Sequence, residues 1–362
     1  MKTAFITRST LFSAPGGDTI QVLQTSRYLR KIGIDTDILL TNDPVNYSNY
    51  HLLHFINITR PSDILFHVKR SKKPFVISPN LVDYGEYDKR CRQGFSGLVL
   101  RQFSKSGGEY LKTIARWIKG NDVIKSKSYF WQGQRKSIRD ILQAANMVLP
   151  NSEAEYKCLK EAYGISKDYA LVPNGIDTSV FSPDLSGYKN DKLIICAARI
   201  EGLKNQLNLI KAINNTDFTL YLIGSPGPNQ KKYYELCRQI ANKNIHFKGH
   251  VPQEQLMEYY KIAKVHALPS WFETCGLSSL EAAAMGCNII ITRKGYTEDY
   301  FGTDAFYCDP GDSESIYSSI VSASLAPPPE KLQQRILNNY TWQNAASITA
   351  AAYLKTVSAC KN

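Results

Sequence analysis

No stretch of this 362-residue chain approaches the roughly 18 uninterrupted apolar residues that a membrane-spanning helix needs, so no transmembrane segment is expected. The opening "MKTAFITRST" carries an early lysine, but Thr7 and Arg8 break its apolar run too soon for the h-region of a signal peptide, and it reads as a first strand. Close cysteine pairs are missing too. The eight cysteines (91, 158, 196, 237, 275, 287, 308 and 360) include no C-x-x-C, and several sit inside apolar runs such as "LIICAAR", the usage of free thiols in a reducing compartment. There is no repeat at solenoid period, no long low-complexity tract, and no G-x-G-x-x-G dinucleotide fingerprint. Acidic residues are scarce in one place: positions 89 to 139 hold 13 Lys/Arg against Glu109 and Asp122, a surplus of 11 that accounts for nearly all of the net charge of +12.

What is present fits a globular protein. The hydrophobic fraction is 43% and the charged fraction 21%, and the length suits two domains rather than one core. Short β-branched runs recur at intervals that leave room for a helix, the pattern of parallel βαβ sheets. They are "TAFIT", "TDILL", "LLHFINI", "PFVIS" and "ANMVLPN" in the first half, and "LIICAAR", "FTLYLIG", "NIHFKG", "VHALPS", "CNIIIT" and "AFYCD" in the second. The fold class is therefore α/β, two doubly wound domains in series. "SEAEYKCLKEAYG" starts with a capping-box spacing, Ser152 then Glu155, and offers Gly164 as its C-terminal stop. "LVPNGIDTSVFSP" (171–183) is punctuated by Pro and Gly as a linker would be, and a last helix, "TWQNAASITAAAYLKTV", follows the hinge "APPPE".

Three stretches carry candidate chemistry. "APGGDTIQ" places Gly16 and Gly17 between the first strand and a helix, where backbone amides approach an anion closely; a plain tight βα turn is the alternative. "AARIEGLKNQLNLIKAI" places Arg199 at a strand's carboxyl end and Lys204 at the start of the next helix, two cations suited to a diphosphate or simply surface charge. "SWFETCGLSSLEAAAMGC" (270–287) places Glu273 in a loop and Glu281 one turn into a helix that starts near Gly276, Leu277 and Ser278. Carboxylates there accept hydrogen bonds from sugar or ribose diols, although Glu281 is also explicable as an acid favoured by the helix dipole. Asp35-Thr36-Asp37 matches a D-x-D metal motif only superficially, since it lies at the entry to a strand.

With these residues in hand, "NGIDTSVFSP", "AARIEGLKNQ", "HFKGHVPQEQLMEYYKIAKVHALPSWFETCGLSSLEAAAMGCNIIIT" and "TWQNAA" resemble, in order, the signatures of retaining glycosyltransferases of family 4, the E-x7-E spacing of Glu273 and Glu281 being the specific part. The resemblance implies the GT-B fold: two Rossmann-like domains facing a central cleft, with the C-terminal helix crossing back to the N-terminal domain. It divides the chain into an acceptor-binding domain, 1–170 plus about 341–362, and a nucleotide-sugar-binding domain, 171–340. It implies that Arg199 and Lys204 hold the donor diphosphate, Glu281 the ribose, and Glu273 the sugar ring. Amides near Gly276, Leu277 and Ser278 would complete the cradle, with Gly16 and Gly17 facing the same diphosphate. The catalytic set is then Glu273, Arg199 and Lys204, in a hexosyl transfer with no enzyme nucleophile, no cofactor and no metal, from a UDP- or GDP-linked sugar. The family's usual histidine is absent after "PFVIS", where Asn80 and Asp83 stand instead, with His54 as a further candidate for the sugar or acceptor side.

The basic segment mixes Arg101, Lys105, Lys112, Arg116 and Lys119 with Trp117 and other apolar residues, as interfacial membrane segments do; a solvated helical insertion is the alternative. No nucleic-acid-binding module is present, so nucleic acid is not an expected partner. The expected protein is cytoplasmic, at most peripheral on the inner membrane face, and acts on a lipid-linked saccharide in cell-surface polysaccharide, lipopolysaccharide or glycolipid synthesis. An epimerase or hydrolase of the same fold and a non-catalytic sugar-binding protein are the competing readings.

Overall fold

Among the described residues, eleven parallel strands in two sheets account for the alternating apolar runs; the inner strands are buried because helices cover both faces of a parallel sheet, while edge strands stay partly exposed. The computed structural model describes residues 1–90, 105–118, 124–181 and 189–360. It divides into two units, Met1–Asn174 with Trp342–Asn362, and Gly175–Thr341.

In the first unit, β1 (Lys2–Thr7), β2 (Asp35–Leu40), β3 (Leu52–Ile56), β4 (Phe75–Ser78) and β5 (Met147–Val148) lie in the order β2-β1-β3-β4-β5. Phe5, His54, Val76 and Met147 stand abreast across the four central and edge strands. β3 stops at Ile56 because Asn57 takes a left-handed turn, φ 72°. Helix α1 (Gly17–Lys31) follows β1. A later helix, α2 (Glu153–Tyr163), begins and ends as its sequence predicts: the Ser152 hydroxyl accepts from the Glu155 amide and Gly164 is left-handed at φ 63°. The C-terminal helix α3 (Trp342–Ala359) packs on α1 and buries Ala345, Ala346, Thr349 and Tyr353, the last against His54 of β3.

The second unit has β6 (Asn190–Ala197), β7 (Thr219–Ile223), β8 (Ile245–Gly249), β9 (Ala263–Leu268), β10 (Asn288–Thr292) and β11 (Phe306–Cys308) in the order β11-β10-β9-β6-β7-β8. Side chains alternate between two cores. Ile195, Ala197, Ile289 and Ile291 join one, while Ile194, Cys196, Val265, Ala267 and Ile290 join the other. The described cysteines are free, and five of them are buried; Cys91 lies outside the described residues.

The unit boundaries fall slightly later than the sequence expectation of 170/171 and 340/341. Ala170 and Val172 still donate to the carbonyls of Val148 and Pro150 beside β5, which keeps 171–174 with the first unit. Thr341 pairs with Ile176 in a short bridge, which keeps it with the second.

Candidate functional site

The second sheet reverses its strand order between β6 and β9, and ligands of open α/β sheets bind outside the carboxyl ends of the strands at such a point. Two loops meet there. The chain leaving β6 passes Arg199 into a 3-10 turn, Gly202–Lys204, and is then pinned by two buried amides. Asn205, left-handed at φ 60°, donates to the carbonyls of Pro269 and Pro310 at 2.9 and 2.7 Å, and Gln206 donates to the Arg199 carbonyl at 2.9 Å. The chain leaving β9 is tied to this turn by the Trp271 amide, which donates to the Leu203 carbonyl at 2.9 Å.

The stitched loops bring Lys204 and Glu273 together, Nζ to Oε1 at 2.6 Å, with the Ser270 hydroxyl donating to the same oxygen at 2.6 Å. The Glu273 side chain is 6% exposed. Both donors use Oε1, so among the described residues Oε2 has no protein donor. Burial alone would lower the Lys204 ammonium pKa; the Glu273 and Glu201 charges outweigh it and the net direction is upward, so the lysine is held charged. Arg199 donates to Glu201 at 3.0 Å, and its charge is felt at Lys204.

The Glu273 backbone is fixed as tightly as its side chain. Its amide donates to the Lys294 carbonyl, and its carbonyl accepts from Tyr296. Between these partners Gly295 sits at φ 116°, and a Cβ there would fall 1.9 Å from the Glu273 carbonyl oxygen. Gly295 was not singled out from the sequence. Its only signal is a glycine just past β10, in "TRKGYTE".

Past Glu273 the chain turns at Gly276, left-handed at φ 68°, into helix α4 (Leu277–Ala284). The Ser279 and Leu280 amides return to the Gly276 carbonyl, and the Leu277 and Ser278 amides have no acceptor among the described residues, as expected at a helix N-terminus. Glu281 is partly buried in the second turn of α4, has no hydrogen-bond partner among the described residues, and its carboxyl is pushed up to about 8 by burial. The predicted residues of this half therefore fall on two stitched loops and one helix. They combine two cations, free helix amides and two carboxyl groups with unused oxygens.

The first unit uses its polar residues differently. Gly16 caps α1, and Asp18, one residue past Gly17, is gripped by Arg8 through Nε–Oδ2 at 2.7 Å and Nη2–Oδ1 at 2.9 Å. Burial alone would raise the Asp18 carboxyl; Arg8 outweighs it and the net direction is downward. Arg8 also donates to the Thr10 and Ala14 carbonyls, so one guanidinium shapes the whole β1–α1 loop, a role the sequence did not disclose.

Two candidates for the sugar or acceptor side need correction. His54 is 2% exposed and fully used: Nδ1 contacts the Tyr353 hydroxyl at 2.6 Å and Nε2 the Ser78 hydroxyl at 2.9 Å, with burial pulling its pKa down to about 3. It clamps α3 to the sheet and has nothing left for a ligand. Asn80 (φ 47°) closes a ring of three amides. It donates to Gln21 at 2.6 Å, Gln21 donates to Asn151 at 3.2 Å, and Asn151 donates back to Asn80 at 2.8 Å. Its amide is engaged on both sides. Asp83 accepts from the Gly85 amide at 2.8 Å, capping the next turn.

Of the membrane-facing candidates, Arg101 and Lys119 lie outside the described residues, as do the side chains of Lys105, Lys112 and Arg116. Trp117 is exposed and edge-on to Phe130 at 5.2 Å; Ile118 is exposed beside it, and Trp131 is 91% exposed. No helix among the described residues is long and apolar enough to cross a membrane. Asp35 and Asp37 pair with Lys2 at the entry of β2, where a strand-edge role suffices.

Comparison with known proteins adds an independent line. Residues 179–341 match the sequence profile described as "Glycosyl transferases group 1". An MMP alpha-(1->4)-mannosyltransferase of Mycolicibacterium hassiacum is 24% identical over 299 residues, 75% of this chain and 70% of that relative. Seven further relatives are matched over 40 to 59% of their own length. Among solved structures, sucrose-phosphate synthase of Thermosynechococcus elongatus superposes with TM-score 0.77 at 16% identity, covering 99% of this chain and 100% of that one. Anabaena HepE in complex with UDP and glucose superposes with TM-score 0.69 at 15% identity, covering 98% and 100%.

Proposed function

We propose that the chain, whose residues 179–341 match the glycosyl transferases of group 1 and whose fold is GT-B, is a retaining hexosyltransferase that moves a sugar from a nucleotide-linked donor to a saccharide acceptor. The observation that carries the reading is the Lys204–Glu273 pair at the β6/β9 switch point, with one carboxylate oxygen left over and unused helix amides on the same loop.

Each part has a job. Arg199, Lys204 and the Leu277 and Ser278 amides receive the diphosphate and stabilise the charge that grows on it as the sugar leaves. Oε2 of Glu273 accepts from donor-sugar hydroxyls. Glu281, held largely neutral by burial, both donates to and accepts from the ribose diol. Glu273 makes a poor nucleophile, because Lys204 and Ser270 already draw on its charge through Oε1. Transfer with retention then proceeds on the face that the leaving group vacates, with the acceptor hydroxyl as nucleophile, and catalysis is chiefly positioning and electrostatics. The cations fill the role a metal plays elsewhere, so chelator should leave turnover unchanged. UDP is the first donor base to try, since it is bound in the structural relative HepE.

A lipid-linked acceptor fits the exposed Trp117, Ile118 and Trp131 beside the Lys/Arg-rich sequence, which suits peripheral docking on an anionic membrane surface. Thermal stability measured with UDP, GDP and ADP and their sugars tests the donor, because a ligand that binds only the folded chain raises its melting temperature. A labelled donor then separates the chemistries: acceptor-dependent transfer supports the proposal, and free sugar or epimer formed without acceptor overturns it.

A further inference from the structure

Beyond the donor site, the first unit holds a cleft of about 580 Å³, within the range of small-molecule sites. It is bounded by the segment following β2, by helix α5 (Pro61–Ser71) and by Lys125. Two cations converge there. Arg70 and Lys125 stand 4.5 and 5.5 Å from the centre of the same Phe66 ring, and neither has an acidic partner among the described residues. Like charges gathered without a counter-ion favour binding an anion.

A hydroxyl relay sits beside them. The His67 imidazole is buried, and burial together with the neighbouring cations pulls its pKa down to about 4, so it is neutral. Nε2 contacts the Thr41 hydroxyl at 3.1 Å and Nδ1 the Tyr47 hydroxyl at 2.8 Å. The Thr41 backbone also takes a hydrogen bond from the ring, which holds the proton on Nε2, so Nδ1 accepts from the Tyr47 hydroxyl and the Tyr47 oxygen is left as an acceptor for a ligand hydroxyl. The cleft has a second character at Asn42 and Asp43, which follow the carboxyl end of β2. One oxygen of Asp43 accepts from the Leu40 amide, and the other suits a sugar hydroxyl.

We propose that this cleft binds a polyol phosphate, the phosphate between Arg70 and Lys125 and the hydroxylated end toward Asn42, Asp43 and the Tyr47 oxygen. The site is separate from donor binding and does not require the transferase reading. Such a ligand is either a free sugar phosphate or the phosphorylated polyol headgroup of a lipid.

Calorimetric titration of the full chain with glucose 6-phosphate, glucose and inorganic phosphate tests it, alongside retention on phosphatidylinositol and phosphatidylcholine vesicles. Glucose 6-phosphate should bind, inorganic phosphate at least fivefold more weakly, and glucose not measurably. Arg70→Ala and Lys125→Ala should each weaken binding about tenfold. Tyr47→Phe should have a smaller effect, and the UDP-induced thermal shift should persist in all three. Binding confined to phosphatidylinositol vesicles, and lost in the Arg70→Ala/Lys125→Ala double variant, identifies the headgroup as the source. The proposal fails if neither ligand form binds, or if the double variant binds as the wild type does. Equal affinity for phosphate and glucose 6-phosphate removes the polyol end. Both substituted side chains are at least partly exposed, so the variants should keep the wild-type melting temperature.

Discussion

The two units solve the same problem at the ends of their strands in opposite ways. In the second, polar residues at the β6/β9 switch point end with unused valences: Oε2 of Glu273, the Glu281 carboxyl, and the Leu277 and Ser278 amides. In the first, the equivalent reversal between β1 and β3 is narrow, with about 10 Å³ of space among residues that include Arg8, Asn57 and Arg60, on the order of one water. Its amides and acids satisfy one another. A polar residue at a strand end is thus no guide to function until its partners are counted.

The largest test of this contrast is at Lys204. Lys204→Ala should lower turnover by about 10² to 10³, the scale for a donor that acts on developing charge. It should also cost about 2–4 kcal/mol of stability by leaving Glu273 buried without its counter-ion. A Lys204→Met/Glu273→Gln double variant should recover most of the stability and none of the turnover, which activity assays and denaturant melts would separate. Recovery of both would place the pair in the scaffold, alongside the first unit's contacts. Next in size is Gly295→Ala, which must displace the Glu273 backbone; a loss of about 2–4 kcal/mol is expected together with weaker donor binding. Asn80→Ala is the counterpart in the first unit. It strands Gln21 and Asn151 amide groups, so about 1–3 kcal/mol should be lost, while UDP affinity stays within twofold by calorimetry.

Every described strand was legible in the sequence, because the inner strands of a parallel sheet are buried on both faces and read as apolar runs, and even the half-exposed edge strands β2 and β8 carry an apolar or β-branched stretch. Only the ends drifted. "ANMVLPN" suggested seven residues where β5 has just Met147 and Val148, since Leu149 to Asn151 leave the sheet to reach α2. The donor-side candidates come together at one end of the second sheet because their spacing follows the strand–loop–helix order. Arg8 was not legible, because its partners are near in sequence but no spacing rule marks a loop folded around one guanidinium. Gly295 and the amide ring were not, because each depends on a partner far along the chain or on a backbone angle. His54 failed as a candidate for the same reason: its partner Tyr353 lies 299 residues away.

The finest test sets side by side two acids whose carboxyls are pushed upward by desolvation, Glu155 fully buried and Glu281 partly so. Glu155 in the first unit accepts from the Leu81 and Asn151 amides, both at 2.7 Å, and burial still lifts it to about 7 despite those bonds; Glu281 in the second has no partner among the described residues and rises to about 8. Each folded-state pKa lies above the unfolded value near 4.5, so the folded chain holds a proton that the unfolded chain has released. The associated stability is complete below about pH 4.5 and is lost as pH rises through 7 and 8 respectively. Glutamine mimics the protonated form, and the two substitutions should part company. Glu155→Gln puts an NH2 where two amide donors already point, and should destabilise by about 1–2 kcal/mol at any pH. Glu281→Gln displaces no bond. It should match the wild type at pH 5 and exceed it by about 2–4 °C in melting temperature at pH 8.5, while weakening UDP binding more than Glu155→Gln does. If Glu155→Gln instead gained stability at high pH and Glu281→Gln lost it, the bonded acid and the free one would have to exchange roles.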